Sequence, residues 1–232
     1  MGIKIRKSAE RGESKLDWLK SRHGFSFGRY NNLDNINFGN LIVFNEDIIA
    51  GGKGLGAHPH ENAEIITIVL EGSLKHEDSE GNRGIIEYGE VQRMSAGRGI
   101  WHSEFNNSRE RNLHLLQIWI EPNEINLEPS YEQKKLKINK NEFNRIVSNN
   151  KNNECVYIHQ ETEFFLGYFS ELEEKEHHIG KEKKVYLFLI NGEILLNGLG
   201  MTDGDSAEIE ESDKIVIECK KESRFLLIEM NN

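Results

Sequence analysis

Val185-Tyr186-Leu187-Phe188-Leu189-Ile190, then Asn191-Gly192, then Glu193-Ile194-Leu195-Leu196-Asn197 is the stretch on which the fold turns. The first run is near strand length and carries β-branched and aromatic side chains that suit a half-buried pleated surface. Asn-Gly favours the positive-φ backbone of a two-residue turn, so the three pieces predict a type I′ β-hairpin. The same grammar recurs outward. Leu41-Ile42-Val43-Phe44, Ile65 to Leu70 and Leu113 to Ile120 are apolar runs that end in turn chemistry. Glu80-Gly81-Asn82, Tyr88-Gly89-Glu90 and Asp203-Gly204 are turns. Many short strands at near-regular spacing predict an all-β barrel or sandwich. Two segments compete as helices: Ala9 to Arg22, whose apolar residues are sparse, and the charge run Glu171 to Glu176, read instead as a solvated turn or loop.

The halves are weak repeats. With Gly72 set against Gly192 and Gly89-Glu90 against Gly204-Asp205, each reads strand, Gly turn, strand, Gly-acid turn, strand. Two copies of one barrel are the simplest account. A polar stretch from Glu121 to Ser130 holds Pro122 and Pro129 and marks the boundary. The expected domains are residues 1–122 and 135–232, with 123–134 as linker.

Composition bounds the function. At 232 residues the chain buries a real core without a metal or disulfide staple. A net charge of −10 argues against nucleic acid as a direct partner, because phosphate binding wants a basic face. Cys155 and Cys219 stand far apart, as in a reduced intracellular protein. No apolar run is long enough for a signal peptide or a bilayer span, so no membrane partner and a cytoplasmic location are expected.

The chemistry concentrates between Gly56 and Glu104. Residues two apart on a strand share a face, so His58 and His60 project together, as do His102 and Glu104. If the two strands face each other across a barrel, four donors converge. Three imidazoles and a carboxylate suit Fe(II), Mn, Co, Ni, Cu or Zn. They also leave a coordination position open for a substrate oxygen or O2. A lone His-X-His is a weak signal, and the second pair beyond a Gly-rich turn strengthens it. The spacing leaves open whether Glu64 supplies the carboxylate instead. His76 and His114 read as surface or supporting residues and His23 as structural. Gln117 and Trp119 alternate with Ile118, facing either the site or the core.

These residues resemble known motifs. Gly56 to Gly72 is similar to the first cupin motif, and Gly89 to Glu104 to the second. The wider text resembles the pirin family of quercetinase-like bicupins. The likeness rests on Arg6-Lys7-Ser8-Ala9-Glu10-Arg11-Gly12, His58-Pro59-His60, Leu70-Glu71-Gly72, and Gln92 through Trp101-His102-Ser103-Glu104. It is specific to about residue 135 and topological beyond. It implies an all-β chain of two cupin barrels (double-stranded β-helix, jelly-roll) in tandem. It implies that the carboxylate ligand is Glu104, with Glu64 supporting a ligand or paired with a cation. The cofactor is then one divalent metal ion, Fe(II) first, with Mn, Co, Ni, Cu or Zn compatible. The implied activity is quercetin 2,3-dioxygenase-like: a flavonol, or a similar enolisable hydroxylated ring, is cleaved with O2, releasing carbon monoxide and a depside. Glu104 would also be the catalytic base. Eukaryotic pirins act as transcription co-regulators, so the second function class is a non-enzymatic, metal-dependent redox sensor with a protein partner. On the repeat alignment His102 falls opposite Ile217, Glu104 opposite Cys219, His60 opposite Gly180 and His58 opposite His178. The C-terminal barrel is expected to bind no metal, with His177-His178 an exposed pair.

Overall fold

The computed structural model describes residues 2–151 and 154–231, and strands dominate it. Numbered along the chain they begin with β1 (Gly2–Arg6), β2 (Gly12–Lys15), β3 (Leu19–His23), β4 (Leu41–Ile49), β5 (Gly54–His60) and β6 (Glu64–Glu71). There follow β7 (Ser73–Asp78), β8 (Arg83–Glu87), β9 (Glu90–Ser95), β10 (Ile100–Asn106), β11 (Leu113–Ile120) and β12 (Ser130–Lys135). Then come β13 (Phe143–Ser148), β14 (Val156–Tyr157), β15 (Thr162–Phe169), β16 (Glu174–His178) and β17 (Lys183–Asn191). The last are β18 (Glu193–Leu196), β19 (Leu199–Thr202), β20 (Ser206–Glu210), β21 (Lys214–Cys219) and β22 (Ser223–Asn231). The helical option over Ala9 to Arg22 fails: a single 3-10 turn at Ser8–Glu10 gives way to the paired strands β2 and β3. Among the described residues no helix is long and apolar enough to cross a membrane.

The chain forms two compact units. The N-terminal unit comprises Gly12–Leu136 and Asn149–Gln160; the C-terminal unit comprises Met1–Arg11, Lys137–Ser148 and Glu161–Asn232. This division departs from a linker at 123–134. Strand β12 is an edge strand of the N-terminal unit, paired with β9 from Ser130↔Ser95 to Lys135↔Glu90. Residues 1–11 belong with the C-terminal unit because β1 pairs with β20. The 149–160 excursion belongs with the N-terminal unit, where the Arg93 guanidinium donates to the Tyr157 carbonyl and the His159 N–H to Glu64.

The units repeat one plan. In the N-terminal unit the large sheet runs β12-β9-β6-β11-β4-β3-β2 and the small one β5-β10-β7-β8. In the C-terminal unit the large sheet includes β1-β20-β17-β22-β15-β13 in order, and the small one runs β16-β21-β18-β19. Each β9-β6-β11-β4 therefore has its counterpart in β20-β17-β22-β15. The Gly72/Gly192 and Gly89/Gly204 alignments place equivalent turns together.

The Asn191-Gly192 hairpin is overturned. Strands β17 and β18 do not pair; they lie in different sheets, and the turn carries the chain around the barrel corner. The ladder to β22 slips between Leu189 and Asn191, and Asn191 is not among the described residues with positive φ, which a type I′ turn requires at both central positions. Short-range turn chemistry was right about a reversal and blind to its three-dimensional sense. A Cβ at Gly192 would overlap the Ser223 hydroxyl and lie 2.7 Å from the Glu222 carbonyl oxygen. Gly192→Ala is therefore expected to cost roughly 2–3 kcal/mol in urea unfolding. A cost under about 0.5 kcal/mol would show that the corner relaxes freely.

The interiors differ. In the C-terminal unit one continuous apolar cluster joins Phe169, Leu187, Ile194, Ile217, Cys219, Phe225 and Leu227. In the N-terminal unit the apolar interior comes in separate clusters. One holds Ile49, Val69, Leu74, Ile86, Leu113 and Leu115. Another holds Ala63, Ile65, Met94, Ala96 and Ile100 with Trp119. A polar row crosses the large sheet: Asn45 opposite Gln117, Gln117 opposite Thr67, Thr67 opposite Gln92. All four are buried. Directly paired residues share a face, so this row forms a layer, and Gln117 marks where the chemistry lies.

Candidate metal centre

Strands β5 and β10 are neighbours in the small sheet, with His58 directly opposite His102. The histidines thus meet side by side, correcting the expectation that their strands face each other across the barrel. Ring centroids stand 4.4 Å apart for His58 and His102, and 4.8 Å for each other pair among His58, His60 and His102. One nitrogen from each ring lies within 4.8 Å of the others. The register slips between His102 and Glu104, which stands opposite Leu55 on β5. The extra residue lies on β5, between Leu55 and His58, while the β10–β7 ladder runs unbroken and sets Glu104 opposite His76. Glu104 falls instead into an overlapping group with His102 and His76, again within 4.8 Å. Among the described residues both groups lie in the N-terminal unit.

The donor chemistry fits a metal ion. Both ring nitrogens of His102 and Oε1 of Glu104 are buried without a hydrogen-bond partner. Each such orphan ordinarily costs about 1–3 kcal/mol, which a bound cation would offset. His58 Nδ1–H donates to the Gly56 carbonyl at 2.8 Å, leaving Nε2 as the donor atom. Gln117 Nε2–H donates to Glu104 Oε2 at 2.7 Å and fixes that carboxyl. Burial first, then the neighbouring His58, His60 and His76, pull the His102 pKa down to about 2. Burial and His58 pull His60 down to about 4. Both imidazoles are therefore neutral, the form that ligates. Burial pushes the Glu104 carboxyl up to about 7, against the Gln117 hydrogen bond and with a smaller push from Asp47.

The remaining candidates sort by contact. Trp119 faces the site, edge-on to the His60 ring at 4.7 Å and to Phe27 at 5.7 Å. Gln117 faces it too. Glu64 is buried but falls in neither donor group; its Oε2 accepts the His159 N–H at 3.2 Å. His23 is buried between Ser14 and Asn45, each at 2.8 Å. His114 meets Glu46 at 3.0 Å. His177 is not exposed as expected: it pairs with Glu229 at 2.9 Å between the Phe143 and Phe165 rings, and His178 alone is exposed. Ile217 and Cys219, opposite His102 and Glu104 in the repeat, are core residues. Of the two readings offered for His76, surface or supporting, the structure favours the second. The residue is wholly buried, opposite Glu104 on the adjacent strand. Alternation along β7 carried the signal: Leu74 and His76 are buried while Lys75 between them is exposed.

Known proteins resemble the chain along its whole length. The pirin family profile matches residues 4–120, and the profile of a quercetinase C-terminal cupin domain matches residues 145–230. A quercetin 2,3-dioxygenase of Escherichia coli (strain K12) is 37% identical over 228 residues, 98% of each chain. A bacterial pirin, YhhW, in complex with nickel(II), also from Escherichia coli, superposes with a TM-score of 0.95 at 36% identity, covering 99% of both chains. A quercetin 2,3-dioxygenase from Acinetobacter baumannii shares the fold alone, with a TM-score of 0.81 at 16% identity over 100% of this chain and 86% of that one.

Proposed function

Because this chain belongs to the pirin family, we propose that it is a metal-dependent dioxygenase of the quercetin 2,3-dioxygenase type. Its substrates are O2 and a flavonol or similar enolisable hydroxylated ring. His58, His60, His102 and Glu104 are the residues that would hold the ion. Fe(II) is the ion assigned, and the N/O donor set equally suits nickel(II), the ion in the Escherichia coli pirin complex. The observation that carries this reading is the set of buried, unpartnered donor atoms on His102 and Glu104 beside the His58 and His60 rings.

A divalent ion supplies a Lewis-acid centre that lowers the pKa of a ring hydroxyl and aligns it with O2. Glu104 is the base that takes the hydroxyl proton, its carboxyl held in place by the Gln117 amide at Oε2. The Gly56 carbonyl keeps His58 in one tautomer. Beside His60 a cavity lined by Pro59, Ile100 and Trp101 offers apolar surface for a flat aromatic ring.

The test is an oxygen-electrode trace with metal-loaded protein and quercetin. We expect O2 uptake matched to loss of the flavonol absorbance, with carbon monoxide released. Bound metal without either change, while a working quercetinase turns over alongside, overturns the enzymatic reading and leaves the metal-dependent regulator.

A further inference from the structure

His76 is unexplained by the quartet. Its side chain and that of Asp78 are both fully buried, and His76 Nε2 lies 3.1 Å from Asp78 Oδ2. Asp78 is itself held as an acceptor: its Oδ1 receives the N–H groups of Glu80 and Asn82 at 3.1 and 2.9 Å, and the Asn82 amide reaches both oxygens. The carboxylate therefore fixes the proton on Nε2 and leaves the Nδ1 lone pair open. That atom is buried without a hydrogen-bond partner. A carboxylate behind one ring nitrogen and an empty lone pair on the other is the arrangement metal-ligating histidines adopt. Ready donors are close, because His76, His102 and Glu104 offer ligand atoms within 4.8 Å of one another, all three buried.

We propose that His76, oriented by Asp78, is a metal donor that forms with His102 and Glu104 a second cation position overlapping the one at His58, His60 and His102. This rests on the metal-centre reading above and extends it. Both positions draw on His102, and bridging two ions through one ring would require the imidazole to lose its second proton. Occupancy is therefore exclusive: one ion per chain, with two places to sit. The inner place, at His76, has two nitrogens and a carboxylate oxygen; the outer one has the three nitrogens of His58, His60 and His102, with Glu104 as the fourth donor of the quartet.

The test uses the full chain loaded with cobalt(II), read by chelator competition and by the visible absorption of the bound ion. The His58→Ala/His60→Ala double variant should still bind one cobalt(II), more weakly than wild type and with an altered spectrum. Adding His76→Gln to that background should abolish binding. In the otherwise wild-type chain, where the stronger place remains, His76→Gln and Asp78→Asn should each change the cobalt(II) spectrum while weakening binding by no more than about twofold. If wild type binds one ion but the folded double variant binds none, the inner position is wrong and the quartet stands. If the double variant does not fold, an unchanged cobalt(II) spectrum in His76→Gln rejects the proposal by itself. If wild type binds no ion, the metal-centre reading falls and this inference with it.

Discussion

His102→Ala is expected to leave the purified protein without bound metal. His102 is the one side chain shared by both donor groups, and both its ring nitrogens are buried and unpartnered. Removing it takes a nitrogen from either coordination position at once. The expected loss in affinity is on the order of 100-fold or more, given that removing residues that merely orient ligands already costs about 10–100-fold. Metal analysis of wild type and variant, purified in parallel and dialysed against a weak chelator, reads it directly. The fold should survive, since the ring is replaced by a smaller apolar group and an orphaned polar one disappears. A variant that keeps stoichiometric metal would show that the ion, if any, binds elsewhere.

Glu104→Gln is expected to stabilise the metal-free protein at neutral and higher pH. The folded carboxyl titrates at about 7, against an ordinary value of 4.5. As pH rises through that window the unfolded chain has already released its proton and the folded chain has not. Stability from this group is thus fully present below 4.5 and is lost as pH climbs through 7. The loss totals about 3 kcal/mol. Glutamine does not ionise and escapes it. His60 and His102 act with the opposite sign: their lowered folded values make stability fall as pH drops below 6.5. Both histidines are present in the two proteins, so they cancel in the difference. Urea unfolding with metal removed should show the variant's advantage growing by about 3 kcal/mol between pH 4.5 and pH 8. A flat difference would mean that Glu104 titrates as a solvated carboxyl.

Much of the architecture was legible because a strand's period of two and its turn residues are local properties. The runs at Leu41, Ile65 and Leu113 became β4, β6 and β11, and the Gly72/Gly192 alignment located the same barrel corner in both halves. What failed was everything that depends on which strand meets which. Asn191-Gly192 read as a hairpin because no local signal says that the next strand joins another sheet. Residues 130–134 read as linker, and Lys135 as the start of the second domain, because the partner strand β9 lies outside any local window. In the site, His58, His60 and His102 were visible as pairs of alternate residues, and they do come together. Glu104 carried no mark of its register opposite His76 on β7, and His76 lacked a second histidine two residues away to flag it.

The polar row from Asn45 to Gln92 also bears on how the chain persists in a cell. The C-terminal barrel is filled by one unbroken mass of hydrocarbon, whereas its sister interrupts hydrocarbon with amides, a hydroxyl and a nest of imidazoles. An ion that binds only the folded form raises stability by mass action. An ion held at the imidazoles would therefore stabilise the N-terminal unit alone, and limited proteolysis of the metal-free protein is expected to cut that unit first.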